Sequence, residues 1–137
     1  MKIKLDDFAF EPIRAHSTDA GLDIRAIHGG CVRAGQSAAF HTGLHVKLPP
    51  YTTGICISKS GLMMNHDITS TGLIDEGYNG ELMVKLFNHG NTDYTVMPGD
   101  KISQLVIVPV LYPEIEIVDD LEQESERGDG GFGSTGR

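Results

Sequence analysis

Apolar and polar positions alternate with a period of two along most of this chain, which predicts strands and not helices. Leu22, Ile24 and Ala26 alternate with Asp23 and Arg25, so the two charged residues share the opposite face. Residues 40–50 give a cleaner case: Leu44, Val46 and Leu48 fall on one side, His45 and Lys47 on the other, and Pro49-Pro50 ends the strand. Ile55-Cys56-Ile57 reads as a buried strand. Ile102, Leu105, Val106, Ile107 and Val108 read as a mostly buried run, opened by the turn Met97-Pro98-Gly99-Asp100 and interrupted by Gln104. A buried glutamine needs partners, so Gln104 either ties down loop backbone or touches a ligand. Residues 3–13 lack helical periodicity and Pro12 blocks a helix through them, which leaves a short edge strand. Leu62, Met63 and His66 fit one helical turn. The pattern therefore predicts an all-β domain with at most one short helix.

Two stretches carry candidate chemistry. In Gly72-Leu73-Ile74-Asp75-Glu76-Gly77-Tyr78-Asn79-Gly80-Glu81, Leu73 and Ile74 read as the end of a buried strand, and Gly77 and Asn79-Gly80 tolerate the φ > 0 backbone of a tight hairpin. Leu82, Val84 and Leu86 then resume alternation, so the turn presents Asp75 and Tyr78 at a rim. Taken alone, the decapeptide is also compatible with an ordinary polar hairpin tip. Ser58-Lys59-Ser60-Gly61, opening the helix, aims N–H groups, a hydroxyl and an ammonium at one point, as a phosphate cradle or as a simple N-cap. His41 and His45 have a spacing that metal ligands take on a helix, but alternation and Gly43 put them on a strand, as surface or satisfied histidines.

Composition narrows the partners. At 137 residues the chain fits one domain with a real core, and its 17 glycines and 6 prolines, spread along the length, suit short strands joined by turns. A formal net charge of −8 argues against a nucleic-acid duplex or an anionic membrane as partner. No apolar run is long enough to span a bilayer, and Met1-Lys2-Ile3-Lys4 leads into acidic residues, so a soluble, unexported, cytoplasmic protein is expected. Cys31 and Cys56 form no Cys-x-x-Cys and no zinc-spaced cluster, which predicts reduced, mostly buried thiols and no structural metal.

Composition changes after residue 118. Residues 119–126 are strongly acidic and residues 127–137 are Gly-rich, which divides the chain into a body, 1–118, and a tether with a C-terminal arm, 119–137, of the same domain. The arm contains Gly-x-Gly-x-x-Gly, but no strand leads into it and no helix leaves it, so a dinucleotide fingerprint fails on context. Glycines that let backbone N–H groups close on a phosphate, beside Arg127, Ser134 and Thr135 and with Phe132 among them, fit a mobile lid.

Five segments then align. Ala20-Gly21-Leu22-Asp23, Ser58-Lys59-Ser60-Gly61-Leu62, Gly72-Leu73-Ile74-Asp75 through Tyr78-Asn79-Gly80, Gly99-Asp100-Lys101-Ile102-Ser103-Gln104-Leu105, and Arg127 through Thr135 resemble, in order, the five motifs of the trimeric dUTP diphosphatases (dUTPases). The resemblance spans nearly the whole chain, and five weak motifs in order are specific where each alone is not. It implies a β jelly roll, a homotrimer with sites at subunit junctions, and hydrolysis of dUTP to dUMP and pyrophosphate. Asp75 would orient and deprotonate the water that attacks the α-phosphorus. Tyr78 would exclude a 2′-hydroxyl, and hairpin backbone around Gly72 and Ile74 would pair with the uracil edge. Asp23 would hold waters of a Mg²⁺ that the triphosphate ligates. Lys59, Ser60, Gly61 and Gln104 would bind phosphates; Phe132 would stack on the base while Arg127, Gly131, Ser134 and Thr135 close over the γ-phosphate. Three positions depart from the family pattern: Lys59 stands for a common arginine, Thr69 for a base-contacting asparagine, and Asp67 for a glycine. The rival readings are a dCTP deaminase-like enzyme of the same fold and a non-catalytic nucleotide-binding or regulatory jelly roll.

Overall fold

The computed structural model describes residues 1–121. Ten strands and one helix follow in the order β1 (Lys2–Leu5), β2 (Leu22–Arg25), β3 (Gly30–Val32), β4 (Ser37–Phe40), β5 (Leu44–Lys47), β6 (Thr52–Ile57), α1 (Ser60–His66), β7 (Ile68–Ile74), β8 (Val84–Asn88), β9 (Tyr94–Val96) and β10 (Lys101–Pro109). Every pairing is antiparallel: a six-stranded sheet ordered β2-β10-β6-β7-β8-β4, and the pairs β1-β5 and β3-β9. The sheets curl around one core of Ile24, Val32, Leu44, Ile68, Leu82, Leu86, Val96, Ile102 and Leu105, all essentially inaccessible to solvent. This is a jelly roll, in which both layers supply alternate inward residues. Within the described residues no helix is long and apolar enough to cross a membrane.

Alternation predicts the inward faces well. Leu44, Val46 and Leu48 are buried, as are Leu82, Val84 and Leu86, while Lys47 is exposed. Both histidines of the neighbouring segment are satisfied: His41 Nδ1 meets Glu81 at 2.8 Å, and His45 bridges Asp6 and the Asn79 carbonyl.

Several expectations need correction. Ile57 is 46% exposed because Cys56 takes the inward position and the next side chain must point out. Leu73 is 66% exposed: β8 pairs with β7 only over Ile68–Ser70, and beyond that row one flank of β7 is uncovered. The turn that follows is thus a wide loop and not a tight hairpin. Gly77 has φ +87°, but neither Asn79 nor Gly80 has a positive φ. Val106, Ile107 and Val108 are only half-buried. Cys31 is exposed and only Cys56 is buried, where desolvation pushes its thiol up to about 11.

Candidate active site

The second motif is held by a chain of hydroxyls. Ser58 Oγ donates to the Ser70 carbonyl (3.0 Å) and accepts the Ser70 N–H (2.8 Å), so the end of β6 is stitched to β7. Ser70 Oγ and Ser103 Oγ lie 2.9 Å apart, and Ser103 Oγ donates to the Ile57 carbonyl, which ties β10 into the same corner. These buried hydroxyls fix the backbone from which Lys59 projects. The helix then starts with Lys59 as N-cap, without a side-chain cap, so the N-cap alternative for the Ser58–Ser60 hydroxyls is not what is found. Asp67 ends the helix at φ +54°, φ-positive backbone that glycine adopts freely and aspartate tolerates, which accounts for the family glycine at this place.

Asp23 lies in this corner. It pairs with Gln104 across β2 and β10, and Gln104 pairs with Ile57 across β10 and β6. Its carboxylate is buried and carries two ion pairs, with Lys59 and with Lys101 at 2.7 Å. Burial alone would push the Asp23 carboxyl up, but hydrogen bonds from Lys101 and Lys59 outweigh it and hold the group below the usual carboxylate range. The face that alternation gives to Asp23 and Arg25 is not a solvated one: Arg25 is half-buried and lies over the Phe10 ring, and Asp23 is an internal counter-ion. Gln104 Nε2 donates to the Ser58 carbonyl at 3.1 Å, the backbone-tying role, and leaves its Oε1 against Gly21, where any β-carbon would overlap it. Gly21, Asp23, Lys59 and Gln104 line one cleft of about 410 Å³, together with Asp19.

The third motif forms a different cleft, of about 490 Å³, lined by Ile74, Asp75, Tyr78 and Glu81 with Leu73, Leu82 and Met83. Asp75 is exposed, and its carbonyl accepts the Tyr78 N–H at 3.2 Å. The Tyr78 hydroxyl donates to the Glu81 carbonyl at 3.0 Å, folding the ring back over Gly80. Behind the loop, Glu76 Oε2 accepts the Tyr51 N–H (2.8 Å) and the Tyr112 hydroxyl (2.9 Å). Gly72 faces Cys56 across the β6–β7 pair, and Thr69 Oγ1 is engaged by His89 Nε2 at 2.7 Å.

The structure thus groups Asp23, Lys59 and Gln104 in one cleft and Asp75, Tyr78 and Ile74 in another. Ser60 and Gly61 open α1 beside the first, and Gly72 lies on β7 below the second. Arg127, Gly131, Phe132, Ser134 and Thr135 lie outside the described residues. Sequence reasoning missed Lys101 and Glu81 as site-shaping residues, although both stand within or beside quoted motifs. Among the described residues no group of three or more His, Cys, Asp or Glu side chains could hold a metal by itself.

The geometry defines a jelly-roll protein with one cleft around Asp23 and Lys59 and another around Asp75 and Tyr78, and comparison with known proteins gives its family. The dUTPase family model matches residues 9–136. The deoxyuridine 5'-triphosphate nucleotidohydrolase of Clostridium acetobutylicum is 47% identical over 136 residues, covering 97% of this chain and 93% of that relative. The enzyme of the same name from Gloeothece citriformis is 45% identical with the same coverage. Among solved structures, a mutant Staphylococcus bacteriophage 80alpha dUTPase with dUpNHpp superposes with a TM-score of 0.92 at 30% identity, over 99% of this chain and 98% of that one. A mutant dUTPase from phage phi11 of S. aureus, described with a structural Mg(II) ion, gives 0.81 at 28% identity, over 88% and 97%. The chain belongs to the dUTPase family and is a nucleotide hydrolase of that family.

Proposed function

We propose that the protein hydrolyses dUTP to dUMP and pyrophosphate in the cytoplasm, at sites assembled between the subunits of a homotrimer. The observation that carries this reading is the separation of the two clefts. Thr71, Ile57, Gln104 and Asp23 form one row across the sheet. Asp75 lies four residues beyond Thr71 and three strands away from Asp23. At about 3.3 Å per residue and 4.8 Å per strand, the two carboxylates are roughly 15–20 Å apart. A base acting at the α-phosphorus and a group holding the waters of a phosphate-bound cation must be much closer, so the two are taken from different subunits. Leu111, Ile115 and Ile117, almost fully exposed along the segment after β10, give a second copy apolar surface to cover.

In such a site Asp75 accepts a proton from water as its oxygen attacks the α-phosphorus, and pyrophosphate leaves with the α–β bridging oxygen. Tyr78 walls off the 2′ position of the sugar, and β7 backbone at Gly72 and Ile74 offers partners to the uracil edge. Lys59, Ser60, Gly61 and Gln104 receive the phosphates. The donor set suits a cation that arrives on the triphosphate and not a resident one: Asp23 is a lone buried carboxylate with Asp19 nearby, and its two ammonium partners can move to phosphate oxygens. Mg²⁺ brought in this way would neutralise phosphate charge, with Asp23 holding its waters. Residues 119–137 are the tether and arm of the same domain, with Phe132 stacking on the base and Arg127, Gly131, Ser134 and Thr135 closing over the γ-phosphate.

Pyrophosphate release measured across the deoxynucleoside triphosphates, with and without Mg²⁺, tests the reading. Selective, Mg²⁺-stimulated release from dUTP is expected. Ammonia release from dCTP would replace it with the deaminase reading, and binding without turnover with the regulatory one.

A further inference from the structure

The loop between β7 and β8 carries Asp75 and Tyr78 outward, with residues 75–79 all exposed. It returns to the barrel at Glu81, whose carboxylate takes three donors from the β4–β5 corner. Oε1 accepts the backbone N–H groups of Thr42 (3.0 Å) and Gly43 (2.8 Å), and Oε2 faces His41 Nδ1 at 2.8 Å. Desolvation would push this carboxyl up, but the Gly43, His41 and Thr42 hydrogen bonds prevail and hold it below its ordinary range. The same residue receives, on its main-chain carbonyl, the Tyr78 hydroxyl. The next residue is locked as well: Leu82 N–H donates to the Leu44 carbonyl at 2.8 Å, and Thr42 Oγ1 donates to the Leu82 carbonyl.

We infer that Glu81 is a positioning residue for the Tyr78 ring, and that its side chain, committed to the Thr42, Gly43 and His41 donors, sets the sugar selectivity of the site through that ring. The side chain fixes where residue 81 sits against the 42–43 backbone; the main-chain carbonyl of residue 81 then fixes the phenol. Gly80 lets the ring close over the loop, since a β-carbon there would overlap the phenol. A pocket wall held only by a loop tip would admit a ribose hydroxyl by yielding; one pinned at both the backbone and the hydroxyl does not. This inference rests on the reading of Tyr78 as the sugar wall.

Steady-state kinetics on dUTP and UTP with Glu81→Ala, Glu81→Gln and Tyr78→Ala separate the possibilities. Glu81→Ala strands the Thr42 and Gly43 donors, and it is expected to raise KM for dUTP and to lower the dUTP-over-UTP preference by about tenfold or more, with a smaller change in kcat. Glu81→Gln retains an oxygen for both backbone donors and an amide that can donate to neutral His41, and it is expected to recover most of that preference. If Tyr78→Ala lowers the preference and Glu81→Ala leaves it at the parent value, Glu81 does not position the ring. If Tyr78→Ala itself leaves the preference intact, the sugar-wall reading fails first, and the inference with it. Should Glu81→Ala not fold, Glu81→Asp, one methylene too short to reach all three donors, carries the same comparison.

Discussion

The Tyr78 ring lies directly over Gly80, close enough that a β-carbon on residue 80 would overlap the phenol oxygen. Glycine is needed here for space and not for its backbone freedom, since Gly77 supplies the loop's positive φ. Gly80→Ala is therefore expected to push the ring out of place, and Tyr78→Ala to remove it. Both variants are predicted to accept UTP better relative to dUTP, by a factor reflecting roughly 1–3 kcal/mol of lost discrimination. Equal preference in variants and parent, measured as the kcat/KM ratio, would move sugar recognition elsewhere.

Asp75→Asn keeps the shape of the side chain and removes its basicity. Catalysis is predicted to fall by roughly two to four orders of magnitude with nucleotide binding retained. Isothermal titration with a non-hydrolysable dUTP analogue, beside pyrophosphate release, checks both halves; parent-like turnover would remove Asp75 from the role of base.

How much of this was legible in the sequence follows from what each signal depends on. Strand faces such as Leu44, Val46 and Leu48 depend on local period and were readable. The burial of Asp23 was not, because its counter-ions come from Lys59 after β6 and Lys101 on β10, and alternation around residue 23 alone puts a charge on a solvated face. Gly80 looked like a hairpin glycine because its real constraint is a ring two residues back. Leu73 looked buried because nothing local tells that β8 parts from β7 after Ser70. The motif names Asp75 and Tyr78 together, and they line one cleft, but the three-donor clamp on Glu81 joins segments about 40 residues apart and shows only in the fold.

Removing the Asp23 charge leaves Lys59 and Lys101 facing each other without their shared counter-ion. Asp23→Asn is predicted to lower stability by about 1–3 kcal/mol, less than for a fully buried pair because both lysines reach solvent. Denaturant midpoints of Asp23→Asn, Lys101→Met and the double variant check this: the Asp23 effect is expected to shrink once Lys101 is gone. An unchanged effect in the double variant would mean that the pair carries no coupling.

His45 gives the stability a pH dependence near neutrality. Its Nε2 faces Asp6 at 2.9 Å and its Nδ1 the Asn79 carbonyl at 3.0 Å, two acceptors that together require the doubly protonated ring. The hydrogen bond to Asp6 and that to Asn79 hold its pKa above the ordinary value, against some desolvation and the nearby Lys4 charge. A raised folded-state pKa contributes stability that is complete below the unfolded value of about 6.5 and is lost as pH rises through the folded value. Asp6, held below its usual range by Lys4 and His45, behaves oppositely: its contribution is present above about 3.9 and is lost as pH falls through the depressed value. Thermal midpoints of the parent and His45→Gln are expected to converge as pH is raised from about 6. A gap independent of pH would show that the charged ring is not what the loop contact uses.

Residues 127–137 are expected to serve a site whose Asp75 belongs to another subunit. The row geometry separates Asp23 from Asp75 of the same chain by roughly 15–20 Å, which favours the proposed site built from more than one copy. The acidic composition of residues 119–126 suits a tether that reaches across a junction and not one that packs at home. In a closed three-fold ring every junction is equivalent, so two inactive parents can complement each other. One is Asp75→Asn, with an arm but no base; the other is truncated after Glu126, with a base but no arm. Co-refolded in equal amounts, three-quarters of random trimers are mixed, and each mixed trimer holds one site with both parts. About a quarter of the parent activity is therefore expected to return. If each arm served the Asp75 of its own chain, every site would lack either base or lid, and co-refolding would recover nothing.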